Sequence, residues 1–394
     1  MIIVGGVYSE YCHYPYWNQI FGSGGRGAAA LTRLGVHEVT LHTCLPDSSL
    51  VAAHATLSPY GIDVQALKSD FINEFIYTHP LADPSIQPFP ARRSEIPPAI
   101  SGDVVLVYGM LEGLPHISGR RLIFDPQSEA EAQTATDTLT AQEVALVLNQ
   151  KEFELNYGDQ DPQQVAQRLL KDSNICTIVI KNGPYGCRVI DTTGSYYVPV
   201  FPTRSVFKIG SGDIFSASFA KFWGIDNMSP VQAAQNASKC TALYCETRSV
   251  DSITLFGEYQ SHPRERRHTP RVYLAGPFFS LAQRFLVEEA RSALIKLGAD
   301  VFSPLHEVGF DLPVELIAKE DLRGLESCSV VFALITDLDP GTIFEIGFAK
   351  ARNIPVVMFG EGVKEEHLTM LVGTGCIHST DFCSSIYNAI WEGM

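Results

Sequence analysis

The sequence contains no run approaching the ~18 consecutive apolar residues that a membrane-spanning helix requires. It has no C-x-x-C pair, and its nine cysteines (12, 44, 176, 187, 240, 245, 328, 376 and 383) are scattered and odd in number. That usage fits buried free thiols in a reducing compartment. Positive charge is scarce: 29 Lys and Arg stand against 44 Asp and Glu, a net charge of −15, with no long basic stripe. Nucleic acid is therefore not an expected partner. Phosphate-bearing substrates stay open, because backbone N–H groups or Mg²⁺ can offset an acidic surface. The opening Met1-Ile2-Ile3-Val4-Gly5-Gly6 reads as a strand and a glycine turn, without the basic start and apolar stretch of a signal peptide, so the cytoplasm is the expected location. What is present is bulk. With 394 residues, 45% of them apolar and 19% charged, the chain is too long for one typical core and reads as two packed globular domains of an enzyme.

The division falls at residues 256–270, where two prolines and several charges interrupt all apolar periodicity, the signature of a linker. Before it, strand candidates Ile2–Val4, Val104–Tyr108, Leu122–Phe124, Val144–Leu148 and Thr177–Ile180 alternate with helix candidates Gly27–Leu34, Pro162–Lys171, Asp213–Trp223 and Pro230–Cys245. Such alternation predicts an α/β layer structure with a largely parallel sheet. After the linker the pattern restarts. Val272–Ala275, Val330–Ile335 and Pro355–Phe359 read as strands, and Ser280 caps a helix carrying Leu281, Phe285, Leu294 and Leu297, with Gly298 as its stop. No internal repeat is visible.

In the first domain the sharpest motif is Ile209-Gly210-Ser211-Gly212-Asp213 before Ile214–Phe219. Small residues open a helix there, so the N–H groups of 210–212 can face an anion, and Asp213 is placed to accept a proton from a hydroxyl aligned with it. A plain glycine-rich helix start with an acid near the helix dipole has the same residues. The stretch resembles the signature of the ribokinase-like (PfkB) family of sugar and nucleoside kinases, and other pieces follow in that family's order over residues 1–255. Gly22-Ser23-Gly24-Gly25-Arg26-Gly27 resembles its substrate-binding glycine turn. Asn149-x-x-Glu152 resembles its Asn-x-x-Glu element, which helps organise Mg²⁺ and phosphate. Lys181-Asn182-Gly183-Pro184-Tyr185-Gly186 resembles its nucleotide-side strand and turn, and Asn236 lies in a helix similar to the one bordering its adenine pocket. The resemblance implies a three-layer α/β/α fold, ATP and Mg²⁺ as cofactors, Asp213 as catalytic base, Gly210, Ser211 and Gly212 as anion hole, and Glu10, Gly24 and Gly25 on the substrate side. The chain departs from the family at Phe207-Lys208, where an Asp-Thr pair is usual, at Ala29, where an asparagine is usual, and at Glu10, where an aspartate is usual. Tyr14, Tyr16 and Trp17 read as an aromatic lid over a base or sugar, or as a local apolar cluster. Gly22-x-Gly24-x-x-Gly27 also matches the dinucleotide fingerprint literally, but an aromatic loop rather than a buried strand precedes it.

In the second domain three pieces stand in order: Val272–Phe279, Lys319–Leu325, and Asp339-Pro340-Gly341-Thr342-Ile343-Phe344-Glu345-Ile346-Gly347-Phe348-Ala349. The last puts a carboxylate, Glu345, in the first turn of a predicted helix and a second, Asp339, six positions earlier, a pair suited to chemistry at an electrophilic sugar carbon. Thr342-x-x-Glu345 is equally the pattern of a capping box, in which Glu345 would satisfy a backbone N–H. Together the pieces resemble the nucleoside 2-deoxyribosyltransferase family and its nucleotide N-glycosidase relatives over residues 271–394. That resemblance implies a smaller flavodoxin-like or Rossmann-like domain with a parallel sheet. It implies Glu345 as nucleophile, Asp321 at the leaving base and Tyr273 orienting Glu345. Gly276 would allow close ligand approach, and Asp339 and Thr369, the latter from a neighbouring subunit, would lie at the 5′ end. His306 reads as a base contact or a plain loop histidine. Relatives of both domains often self-associate, so the resemblance implies a homo-oligomer.

Fusion suggests three arrangements. The second domain releases a (deoxy)ribose that the first phosphorylates; the first makes a nucleoside 5′-monophosphate that the second hydrolyses; or the first is a degenerate kinase that binds and regulates. An anionic Asp339 beside the 5′ position repels a phosphate and tilts the reading to nucleosides.

Overall fold

In the strands of the first half, successive apolar residues turn to opposite faces, and both faces are buried. Ile3, Leu106, Ile123 and Val147 face one core cluster, while Val4, Val105, Val107, Phe124 and Leu148 face another, as the twofold period of a strand demands. The computed structural model describes residues 1–88, 98–127, 138–158, 160–259, 263–264, 268–309 and 311–394. It divides into two units, residues 1–203 with 207–263, and residues 264–394 with 204–206.

Among the described residues of the first unit, nine strands form one sheet in the order 194–198, 187–191, 175–181, 139–149, 117–125, 100–108, 2–4, 40–45 and 63–68. Cys187–Asp191 runs antiparallel to both its neighbours, and the other strand pairs described in this sheet are parallel. Helices Gly22–Arg33, Ser211–Phe219 and Pro230–Thr247 pack together on one face through Ala28, Ala29, Ile214, Ala217, Ala233 and Ala237. Helices Gln150–Tyr157 and Pro162–Asp172 cover the other through Phe153, Val165 and Ala166. The strands expected from sequence all lie in this sheet. Two helices differ. The first starts at Gly22, not Gly27, so the glycine-rich stretch forms its opening turns. The helix of the Gly210 motif ends at Phe219 and continues as a wider π-helical turn over Ala220–Ile225.

A separate four-stranded sheet, in the order 17–20, 9–12, 74–77 and 85–87, carries the aromatic segment. Trp17 is half-buried against Phe207, ring centroids 5.0 Å apart. Tyr14 and Tyr16 are exposed.

Among the described residues of the second unit, five strands, all parallel, take the order 300–302, 271–275, 330–334, 356–359 and 377–379. Numbered along the chain that is 2-1-3-4-5. Ser280 caps helix Leu281–Lys296 as its sequence predicts, but the helix buries Val287, Ala290, Ala293 and Leu294 and leaves Leu281 and Phe285 exposed. Within the stretch read as a linker, residues 260–262 and 265–267 lie outside the described residues. Among the described residues, no helix is long and apolar enough to cross a membrane.

Candidate active sites

Strand order locates a site in the second unit. Strands 271–275 and 330–334 are neighbours, and the chain leaves their carboxyl ends toward opposite edges of the sheet, which opens a crevice between them. Gly276 follows the first strand. A Cβ there would stand 3.0 Å from Leu334 Cβ, so the missing side chain lets the two strand ends approach. After the second strand the chain turns into helix Pro340–Ala351, with proline at its first position.

Asp339 is the cap of that helix: its Oδ2 accepts from the Thr342 amide (2.8 Å) and hydroxyl (3.1 Å). The Thr342-x-x-Glu345 capping box does not form, because Thr342 is the third helical residue rather than the cap. Glu345 consequently lies in the second turn, one residue before the buried Ile346, and is free for another partner. That partner is Tyr273, whose hydroxyl donates to Glu345 Oε1 at 2.5 Å. Tyr273 is fully buried and stacks on Phe302, centroids 5.6 Å apart with planes 12° from parallel, so its hydroxyl has a fixed aim.

Burial pushes the Glu345 carboxyl up to about 7, Tyr273's hydrogen bond pulls the other way, and the charges of Asp321 and Asp339 add to the rise. Burial pushes Asp321, on helix Val314–Glu326, up to about 6, and its buried Oδ1 has no protein partner. Burial and the Glu345 charge hold the Tyr273 phenol far above its ordinary range, so it remains a donor. The structure thus brings Tyr273, Asp321, Asp339 and Glu345 into electrostatic contact. Thr369 stands exposed on helix Glu365–Gly373, where its hydroxyl donates to the Glu366 carbonyl (3.2 Å). His306 bonds Ser303 Oγ and Glu288 Oε1 through its two ring nitrogens, both at 2.9 Å.

In the first unit Gly210 has φ +77°, the left-handed region, and precedes helix Ser211–Phe219. Asp213, in the first turn, is buried, and both its carboxylate oxygens have partners. Oδ2 accepts from Arg26 Nη1 (2.7 Å) and Oδ1 from Gln127 Nε2 (3.1 Å). Its carbonyl accepts from the Tyr108 hydroxyl (2.6 Å). Arg26 also donates through Nη2 to Glu10, which joins Glu10 to Asp213 through one guanidinium. A second buried group lies beside Gly212: Lys181 Nζ and Ser216 Oγ both donate to Asp125 Oδ2, at 2.7 and 2.5 Å. Burial opposes the Lys181 charge, but Asp125 and Glu152 outweigh it and raise its pKa.

Asn149 and Glu152 form a complete capping box: Asn149 Oδ1 accepts from the Glu152 amide, and Glu152 Oε2 from the Asn149 amide, each at 2.8 Å. These contacts fix the pair at the start of helix Gln150–Tyr157, with the Lys181 ammonium as a nearby positive charge. Among the described residues, no three metal-ligating side chains converge. Gly24 faces the backbone of Gly5, where a Cβ would come within 2.5 Å of the carbonyl oxygen, and a Cβ on Gly25 would stand 3.4 Å from Leu57 Cδ2. Gly186, at φ +89°, closes the turn after Gly183. Asn236 Nδ2 meets Met228 Sδ at 3.5 Å.

Residues 116–254 match the model of the pfkB family carbohydrate kinases, and residues 272–374 match that of the nucleoside 2-deoxyribosyltransferases. The chain joins a PfkB-family kinase domain to a nucleoside 2-deoxyribosyltransferase-like domain. Ribokinase II from Escherichia coli aligns over 65% of this chain and 98% of its own, with 15% identity and a TM-score of 0.51. Ribokinase from Thermotoga maritima aligns over 66% and 99%, with 16% identity and a TM-score of 0.51. Phosphofructokinase-2 from Escherichia coli aligns over 66% and 99%, at 14% and 0.50. These likenesses establish a ribokinase-like α/β/α fold for the kinase domain, and the transferase-like domain is a separate parallel α/β unit. No curated protein sequence matches the chain.

Sequence reasoning missed four members of the kinase-side site: Arg26, Gln127, Asp125 and Ser216. Arg26 was visible inside the glycine-rich stretch, but nothing in the sequence pairs it with acids 16 and 187 positions away. Phe302, which braces Tyr273, carries no motif at all.

Proposed function

We propose that the transferase-like domain breaks or transfers the N-glycosidic bond of a (deoxy)nucleoside through Glu345, and that the kinase domain moves the γ-phosphate of ATP to a sugar or nucleoside hydroxyl. The observation that carries the first half is the Tyr273–Glu345 hydrogen bond at a crevice where Asp321 also raises the Glu345 pKa. A buried carboxylate aimed by a fixed donor suits attack on a sugar carbon. Glu345 forms a C–O bond to the anomeric carbon as the C–N bond breaks, and the electron pair leaves on the base nitrogen. Asp321, pushed up to about 6, supplies the proton to that nitrogen. Water or an acceptor base then attacks the same carbon, gives its proton to the Asp321 carboxylate, and the Glu345 carboxylate is released. Asp339 caps the helix beside the site, and a carboxylate there favours a 5′-hydroxyl over a 5′-phosphate. The strand order 2-1-3-4-5 supports a flavodoxin-like reading of this domain.

In the kinase domain, Asp213 takes the proton of the acceptor hydroxyl, and the amides opening helix Ser211–Phe219 receive the transferred phosphoryl group. ATP supplies that group. Residues 1–255 form the kinase domain, 256–270 the connector and 271–394 the glycosyl-transfer domain of a cytoplasmic, self-associating enzyme. A second reading, a binding or regulatory module in place of an active kinase, is favoured by one observation: both Asp213 oxygens already have partners.

The test is a panel of nucleosides and 5′-monophosphates, with and without an acceptor base, followed by chromatography of free base. Wild type is expected to release or exchange base from nucleosides, and Glu345→Ala to lose at least a thousandfold, the scale of a lost nucleophile. Equal background release by both proteins on every substrate sinks the assignment.

A further inference from the structure

One buried cation has no part in the reaction above. Arg26 is 1% exposed, and the acids it joins, Glu10 and Asp213, are 6% and 9% exposed. Its Nη1 donates to Asp213 Oδ2 at 2.7 Å and its Nη2 to Glu10. The same guanidinium lies on Gly210, where a Cβ would come within 2.2 Å of Nε. It therefore fills the space between the substrate-side acid, the base and the turn that receives the phosphoryl group. Burial opposes its charge, but Glu10, Tyr244 and Asp213 outweigh that penalty, so it stays a cation.

We infer that Arg26 is the resting occupant of the acceptor position, an internal ligand that the acceptor displaces before Asp213 takes its proton. The inference rests on the phosphoryl-transfer reading above. A guanidinium presents parallel N–H donors in a rigid fork. An acceptor that replaces it must offer at least two O–H donors at similar span, which vicinal hydroxyls of a sugar or ribose do. Removing the cation without such donors would leave two buried carboxylates uncompensated, so a monohydric alcohol is excluded. The resting contact also lowers apparent affinity by the fraction of molecules in which Arg26 has left.

The experiment uses the full chain, with Arg26→Ala and, in case that variant misfolds, Arg26→Gln, each checked by circular dichroism. Mg-ATP-dependent phosphorylation and thermal shift are measured over a panel of sugars and nucleosides, with Asp213→Asn as blank. The expected result is a kcat/KM at least tenfold above wild type, chiefly through lower KM, and a larger shift with vicinal diols. Millimolar guanidinium chloride, but not sodium chloride, should reverse both gains in Arg26→Ala. A gain in binding without turnover keeps Arg26 as occupant and removes the kinase reading. Folded variants that bind and turn over no better than wild type overturn the inference. Turnover in wild type above the Asp213→Asn blank would in that case leave the kinase reading standing.

Discussion

Replacing Tyr273 by Phe deletes one oxygen and keeps the ring that stacks on Phe302. The hydroxyl donates to Glu345 at 2.5 Å, and hydrogen bonds to charged groups contribute roughly 1.5–3 kcal/mol. That energy favours the ionised carboxylate, so its loss raises the Glu345 pKa further above about 7. At 1.36 kcal/mol per unit, the rise is about 1–2 units. The nucleophile must be ionised. At pH 7 wild type holds about half of Glu345 in that form, whereas a carboxyl moved to about 8 or 9 holds roughly 10% or 1%, a loss of about 5- to 50-fold. The assay is the pH profile of base release between pH 5 and 10. Because Asp321, at about 6, must also be protonated, the ionisation of Glu345 sets the alkaline limb, which should move up by about 1–2 pH units in Tyr273→Phe while its rate approaches wild type above pH 9. A loss of the same factor at every pH, or an unmoved alkaline limb, would refute the electrostatic role and leave Tyr273 as a packing residue.

Glu345→Gln should raise stability at alkaline pH. The folded pKa of about 7 lies above the ordinary 4.5, so the group's contribution is fully present below 4.5 and is lost as pH rises through 7. The variant should therefore melt higher than wild type at pH 8, by on the order of 3 kcal/mol at most, with the difference closing by pH 4.5; equal melting at pH 8 would contradict the buried charge. Leu281 and Phe285, four apart on one helix face, and the adjoining Phe279 are 73%, 68% and 72% exposed. The self-association proposed above would use an exposed apolar face of this kind, so Phe279→Glu with Phe285→Glu should lower the mass found by size-exclusion chromatography with light scattering; an unchanged mass would contradict a contact at this face.

Much of the architecture was legible because it depends on near neighbours. Val104–Tyr108 and Val330–Ile335 are apolar runs between turn residues, and such runs become buried parallel strands. Ser280 announced its helix through a local capping box. The four-stranded sheet that carries Trp17 was not legible, since Ser9–Cys12 pairs with Glu74–Tyr77, more than sixty residues away. Leu281 and Phe285 followed a helical apolar pattern yet face outward, because the same helix has a second apolar face in Val287, Ala290 and Leu294.

The amino-acid order alone determined the two families, the acids at 213, 321, 339 and 345, and the turns that carry them, because motif spacing and helix starts are properties of short segments. Only the tertiary structure decided what those acids touch. Glu345 could have capped its own helix; the fold gave that task to Asp339 and turned Glu345 to Tyr273, 72 residues away. Asp213 had the look of an open base; the fold set Arg26 against it. A carboxylate's charge is local, but its partner and its pKa come from burial and from side chains distant in sequence, which converge only when the sheets close.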